Sequence, residues 1–90
     1  MLARYFIIKG RVQGVGFRFF AYEAAQQMGI KGWTKNLENG DVEIHAQGDE
    51  QEMAQFLNRI RSGPPLSVVS DIEVREVAAD QNYSDFSIER

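Results

Sequence analysis

Ninety residues with 43% hydrophobic content and two prolines suffice for one cored domain, expected to span residues 1–90, and are too few for two. The lack of cysteine excludes disulfides, thiolate zinc sites and cysteine nucleophiles, and the single histidine, His45, cannot make a histidine-rich metal site. A formal net charge of −3 argues against a broad nucleic-acid surface and obliges any anion site to create its own positive field.

Residues 4–12, rich in β-formers, predict a first strand. Its apolar run, Tyr5-Phe-Ile-Ile8, stops at Lys9 and is too short for a signal peptide or a membrane span, so a cytoplasmic, soluble protein is expected. Next comes Gly10-Arg-Val-Gln-Gly-Val-Gly-Phe-Arg18, a glycine-rich turn that opens a helix near Phe17. Gly14 and Gly16 can reach backbone conformations closed to bulkier residues, which lets successive N–H groups converge on one concavity. The helix start adds unpaired donors and the positive end of its dipole. Arg18, a cation in the first turn, opposes that dipole, and a bound anion would resolve the conflict. The turn therefore reads as a phosphate cradle.

Phe17, Phe20, Ala21, Ala24 and Met28 recur at helical spacing and Gly29 supplies the stop, with Arg18, Tyr22 and Gln26 on the opposite stripe. Ile30 to Leu37 predicts a second strand, and Asn39-Gly40 is a hairpin signal. Val42, Ile44 and Ala46 then alternate with Glu43, His45 and Gln47, which predicts one buried and one solvated face, His45 on the latter. Asp49 and Glu52 stand in capping-box register before a helix striped by Met53, Phe56, Leu57 and Ile60, and Gly63-Pro-Pro65 ends it. Val68 to Val77 reads as a fourth strand, and Phe86-Ser-Ile88 as a short last strand after a polar loop at Ala79–Asp85. The order β-α-β-β-α-β plus a terminal strand predicts an α+β fold, the ferredoxin-like split βαβ sandwich: an antiparallel sheet with two helices on one face. Such a fold leaves function open.

The glycine turn fits neither nucleotide motif. A P-loop requires Lys and Ser/Thr after its last glycine, where this chain has Phe17-Arg18; a dinucleotide turn requires a third glycine where Phe19 stands. A second polar cluster, Gly32-Trp-Thr-Lys-Asn36-Leu-Glu-Asn-Gly40, contains an asparagine in an otherwise strand-like run. Together Val12-Gln-Gly-Val-Gly-Phe-Arg18 and Gly32-Trp-Thr-Lys-Asn36 through Val42 resemble the two signatures of the acylphosphatase family, and the resemblance extends over nearly the whole chain. Thr34, where the family often has a branched apolar residue, and Asn39, where it often has Asp, are mild departures.

The resemblance implies hydrolysis of acyl phosphates to a carboxylate and inorganic phosphate, without metal or other cofactor. It implies that Arg18 binds the phosphate, that Asn36 orients the attacking water, and that backbone N–H groups of Gln13, Gly14, Val15, Gly16, Phe17 and Arg18 complete the cradle. The residue inventory suits that chemistry on independent grounds. A carboxylate leaves readily, so the reaction is mostly positioning and charge stabilisation, which a guanidinium and amide donors can supply. Phosphate esters need a protonated or metal-bound leaving group, and no residues for that stand near the turn. The expected partners are an acyl phosphate substrate and inorganic phosphate or a similar anion, with no nucleic acid and no membrane, on a monomer. The alternative is a non-catalytic ferredoxin-like interaction or regulatory module; intact Arg18 and Asn36 argue against it. An RNA-binding reading of Phe17, Phe19 and Phe20 is opposed by the helical spacing of Phe17 and Phe20 and by the acidic balance. Tyr5, Trp33 and Tyr83 read as packing residues, His45 as a solvated strand residue, and Lys31 and Lys35 as an attraction for anions.

Overall fold

The computed structural model describes residues 1–90. The chain runs β1 (Leu2–Arg11), α1 (Phe17–Met28), β2 (Lys31–Asn36), β3 (Val42–Gly48), α2 (Glu50–Ser62), β4 (Val68–Glu76) and β5 (Phe86–Glu89). The strands form one sheet in the order β4-β1-β3-β2-β5. Period-two alternation turns Phe6 and Ile8 of β1 and Val42, Ile44 and Ala46 of β3 to one face, with Phe6 opposite Ile44 and Ile8 opposite Val42. Both helices bury their stripes there: Phe17, Ala21, Ala24 and Ala25 from α1, and Met53, Phe56 and Ile60 from α2, join one core. Phe56 sits between Phe6 and Phe86, ring centroids 6.4 and 6.1 Å away. Phe20 and Met28, expected in the stripe of α1, are only half-buried, and Ala25 takes the deeper place.

The antiparallel expectation holds for β1 to β4, but β5 lies parallel to β2, with Gly32 opposite Phe86 and Thr34 opposite Ile88. The path of the chain explains this. After β4 at one edge, residues 77–85 cross the face away from the helices to reach the other edge. The crossing is stitched strand by strand: Val77 N–H donates to Ala3 of β1, Gln47 of β3 exchanges hydrogen bonds with the backbone of Asp80, Trp33 of β2 donates to the Tyr83 hydroxyl, and Gly32 N–H donates to Asp85. A strand entering from that diagonal runs alongside β2.

The same crossing corrects the expectation of a solvated second face. Gln47 is only 1% exposed, its amide paired with Asp80 like one more rung of backbone. His45 is half-buried, stacked on Trp33 at 5.9 Å and met edge-on by Tyr83 at 5.3 Å, with Nδ1 buried and without a hydrogen-bond partner. Burial holds the imidazole pKa below its ordinary value, opposed by the nearby Asp80 charge. Trp33 and Tyr83 are indeed packing residues, and His45 is the third member of their stack.

Candidate active site

The two helices begin in contrasting ways. At α2, the Asp49 carboxylate accepts the Glu52 N–H at 2.7 Å, the Glu52 carboxylate accepts the Asp49 N–H at 3.0 Å, and acidic residues occupy the first turn. At α1, the capping position is Gly16, left-handed at φ 78°, no side chain caps the helix, and the first turn holds no acid. The first helical bond outside that turn is Phe20 N–H to Gly16 O at 3.0 Å. That leaves the N–H groups of Phe17, Arg18 and Phe19 without an intrahelical partner. Nor does any N–H of Gln13, Gly14, Val15 or Gly16 donate within the turn or to the loops around it. Gly14 (φ 74°) and Gly16 hold this shape because their left-handed backbone is costly for any residue with a Cβ.

Arg18 lines the cavity at this turn. Its Nη1 donates to the backbone carbonyl of Glu89 at 3.0 Å, which fixes the guanidinium against the end of β5. No carboxylate neutralises it: the ion pairs of the molecule, Arg4–Glu76 at 3.2 Å and Lys9–Glu73 at 3.6 Å, both join β1 to β4. An unneutralised guanidinium beside a bare helix N-terminus is a concentrated positive field in a chain of net negative charge.

Asn36 ends β2, and its side-chain amide makes no hydrogen bond within the protein. It lines the same cavity of about 230 Å³ as Gln13, Gly14, Gly16, Phe17 and Arg18. The structure brings Gln13, Gly14, Gly16, Phe17, Arg18 and Asn36 around one cavity, while the Val15 side chain packs toward the core and its N–H, expected in the cradle, has no backbone partner. Lys31 and Lys35 are exposed and lie outside it.

Gln13 has a second role that its sequence position did not disclose. Its amide nitrogen donates to Leu37 O at 2.7 Å and to Asp41 O at 2.9 Å, bracing the turn against both shoulders of the β2–β3 hairpin. The hairpin is itself closed by Leu37 N–H to Asp41 O at 2.8 Å, and Asn39 accepts the Asp41 N–H at 3.0 Å. No local signal marks a glutamine in a turn as a brace to a segment 24 positions away.

Comparison with known proteins identifies the family. A family model described as Acylphosphatase matches residues 4–88. The chain belongs to the acylphosphatase family. It is 49% identical over 83 residues to an acylphosphatase of Dehalococcoides mccartyi, covering 91% of each chain. Its fold is similar to the crystal structure of acylphosphatase from Bacillus subtilis, at TM-score 0.96 and 41% identity with all of both chains covered. It is also similar to an acylphosphatase structure from Coxiella burnetii, at TM-score 0.92 and 33% identity over 98% of this chain and 92% of that one. The family membership does not favour a non-catalytic interaction module.

Proposed function

We propose that this protein hydrolyses acyl phosphates by holding the phosphoryl group in the turn of residues 13–18 and presenting water from Asn36. The observation that carries the reading is the unneutralised Arg18 guanidinium, which shares one cavity with Asn36 and the donor-rich turn. Arg18 offers its remaining N–H groups to phosphoryl oxygens while Glu89 holds it in place. The free N–H groups of the turn donate to the other oxygens, so the negative charge is met by donors already oriented. The Asn36 amide oxygen accepts a hydrogen bond from the attacking water and points its lone pair at phosphorus.

Water oxygen then bonds to phosphorus as the bond from phosphorus to the acyl oxygen breaks. The electron pair leaves with the carboxylate, and the water proton passes to a phosphoryl oxygen, giving dihydrogen phosphate. Asparagine is no base at neutral pH, so the substrate's own oxygen is the available acceptor. No strong acid is required, since a carboxylate leaves unprotonated. No metal is called for in this scheme, and a monomer with a cytoplasmic location accords with a cysteine-free chain whose cavity is built from its own residues. The test is acetyl phosphate hydrolysis with a chelator present. Turnover that persists in chelator and is lost in Arg18→Ala supports the reading; absence of turnover in the parent protein rejects it.

A further inference from the structure

Seven large hydrophobic residues of the molecule are exposed, and two of them, Phe19 and Ile88, line the cavity that holds Arg18 and Asn36. Phe19 lies on the far side of α1 from the buried stripe of Phe17, Ala21 and Ala24, and is 58% exposed. Its ring is stacked on Tyr22, one turn along, with centroids 6.4 Å apart and planes 19° from parallel. Ile88 shares the helix-facing side of β5 with buried Phe86, but lies beyond the rim of the core and is 39% exposed. The next residue, Glu89, supplies the carbonyl that holds Arg18, so Ile88 stands directly beside the guanidinium's anchor.

The remaining apolar lining, Val12 and Phe17, is buried at 1% and 2% exposure and faces inward as floor. The cavity is therefore divided. Its polar part matches a phosphoryl group, and Phe19 and Ile88 are the apolar surface left for whatever the phosphoryl group is attached to. Building on the proposed hydrolysis, we propose that Phe19 and Ile88 form the acyl subsite and select acyl phosphates carrying an aromatic or bulky apolar group over small ones. Contact there adds binding energy remote from phosphorus, which discriminates by the apolar area that each acyl group can cover.

The experiment compares kcat/KM for benzoyl phosphate and acetyl phosphate, whose carboxylate leaving groups are of similar acidity, in the parent, Phe19→Ser, Phe19→Leu and Ile88→Thr. The parent is expected to favour benzoyl phosphate by about tenfold or more. Phe19→Ser and Ile88→Thr should each shrink that preference several-fold, with the loss read mainly in KM, while Phe19→Leu restores most of it. Inhibition by inorganic phosphate, which has no acyl group, should not follow the preference. A parent that turns over both substrates with equal kcat/KM overturns the subsite and leaves the hydrolase reading standing. So does a Phe19→Ser variant, folded by circular dichroism, that loses both substrates in equal proportion. No turnover of either substrate by the parent removes the hydrolase reading itself and the subsite with it.

Discussion

The side-chain amide of Gln13 donates to the carbonyl of Leu37 at 2.7 Å, tying the glycine turn to the residue directly after Asn36. The two halves of the site come from segments with no backbone pairing between them, so their spacing depends on this brace and its second bond to Asp41. Gln13→Ala should cost about 1–2 kcal/mol of stability for two half-buried hydrogen bonds. It should also lower kcat on the order of tenfold by loosening the water relative to phosphorus. Gln13→Glu should be worse, since a carboxylate would face two carbonyl oxygens. Urea melts and single-substrate kinetics on the three proteins check this; equal kcat in all of them would remove the brace from the mechanism.

In the proposed reaction Arg18 would both neutralise charge and supply a planar fork. Arg18→Ala should lower kcat/KM by about 1,000-fold or more, since one preorganised neutral donor alone is worth roughly 100- to 1,000-fold. Arg18→Lys keeps the charge and forfeits the fork, so it should recover only a small part of the loss. Should the alanine variant be inhibited by inorganic phosphate as strongly as the parent, the cradle lies elsewhere.

Asn36→Ala removes an amide that has no partner within the protein, so its structural cost is small. The expected result is a fall in kcat on the order of 100-fold with phosphate inhibition nearly unchanged. A change confined to KM would contradict a water-positioning role.

His45 gives the molecule a pH dependence of stability separate from its chemistry. Its folded pKa is lowered from 6.5 by burial in the Trp33–Tyr83 stack. The unfolded chain therefore binds the proton more readily in the window between the lowered value and 6.5. Stability is complete above that window and is lost as pH falls through it. Urea melts from pH 8 to 5 should show this slope in the parent. His45→Phe, which keeps an aromatic ring in the stack, should flatten it while leaving acyl phosphate turnover at pH 7 intact. A slope retained in His45→Phe would assign the effect to another group.

Gly16 tests the backbone argument. A Cβ built there meets nothing within 4 Å, so only the left-handed backbone opposes substitution. Gly16→Ala should lose about 1–2 kcal/mol, and Gly16→Asn less, because asparagine tolerates this conformation better. Equal melting curves for glycine and alanine would show that the turn relaxes.

What could be read from the sequence is what local chemistry determines. Gly16 before Phe17 starts α1, Asp49 with Glu52 starts α2, and Asn39-Gly40 turns the hairpin. What could not be read depends on where distant segments meet. The parallel pairing of β5, the burial of His45 and Gln47, and the Gln13 brace all arise from contacts between residues 24 or more positions apart or from the diagonal path of residues 77–85. His45 alternates with buried neighbours as a solvated residue would; only the later arrival of Tyr83 encloses it.

Arg18 and Glu89 are 71 positions apart, which makes the tether of the guanidinium one of the longest closures in the molecule. Every polar group of the cavity is already in place by Asn36, yet the cation is aimed only once β5 has docked against β2. A shortened chain ending at Asp85 would carry the whole signature and hold a loose arm where the parent holds a fixed one. Catalytic competence in this fold is thus a property of the closed circuit of chain, and no excised peptide bearing the motif would inherit it.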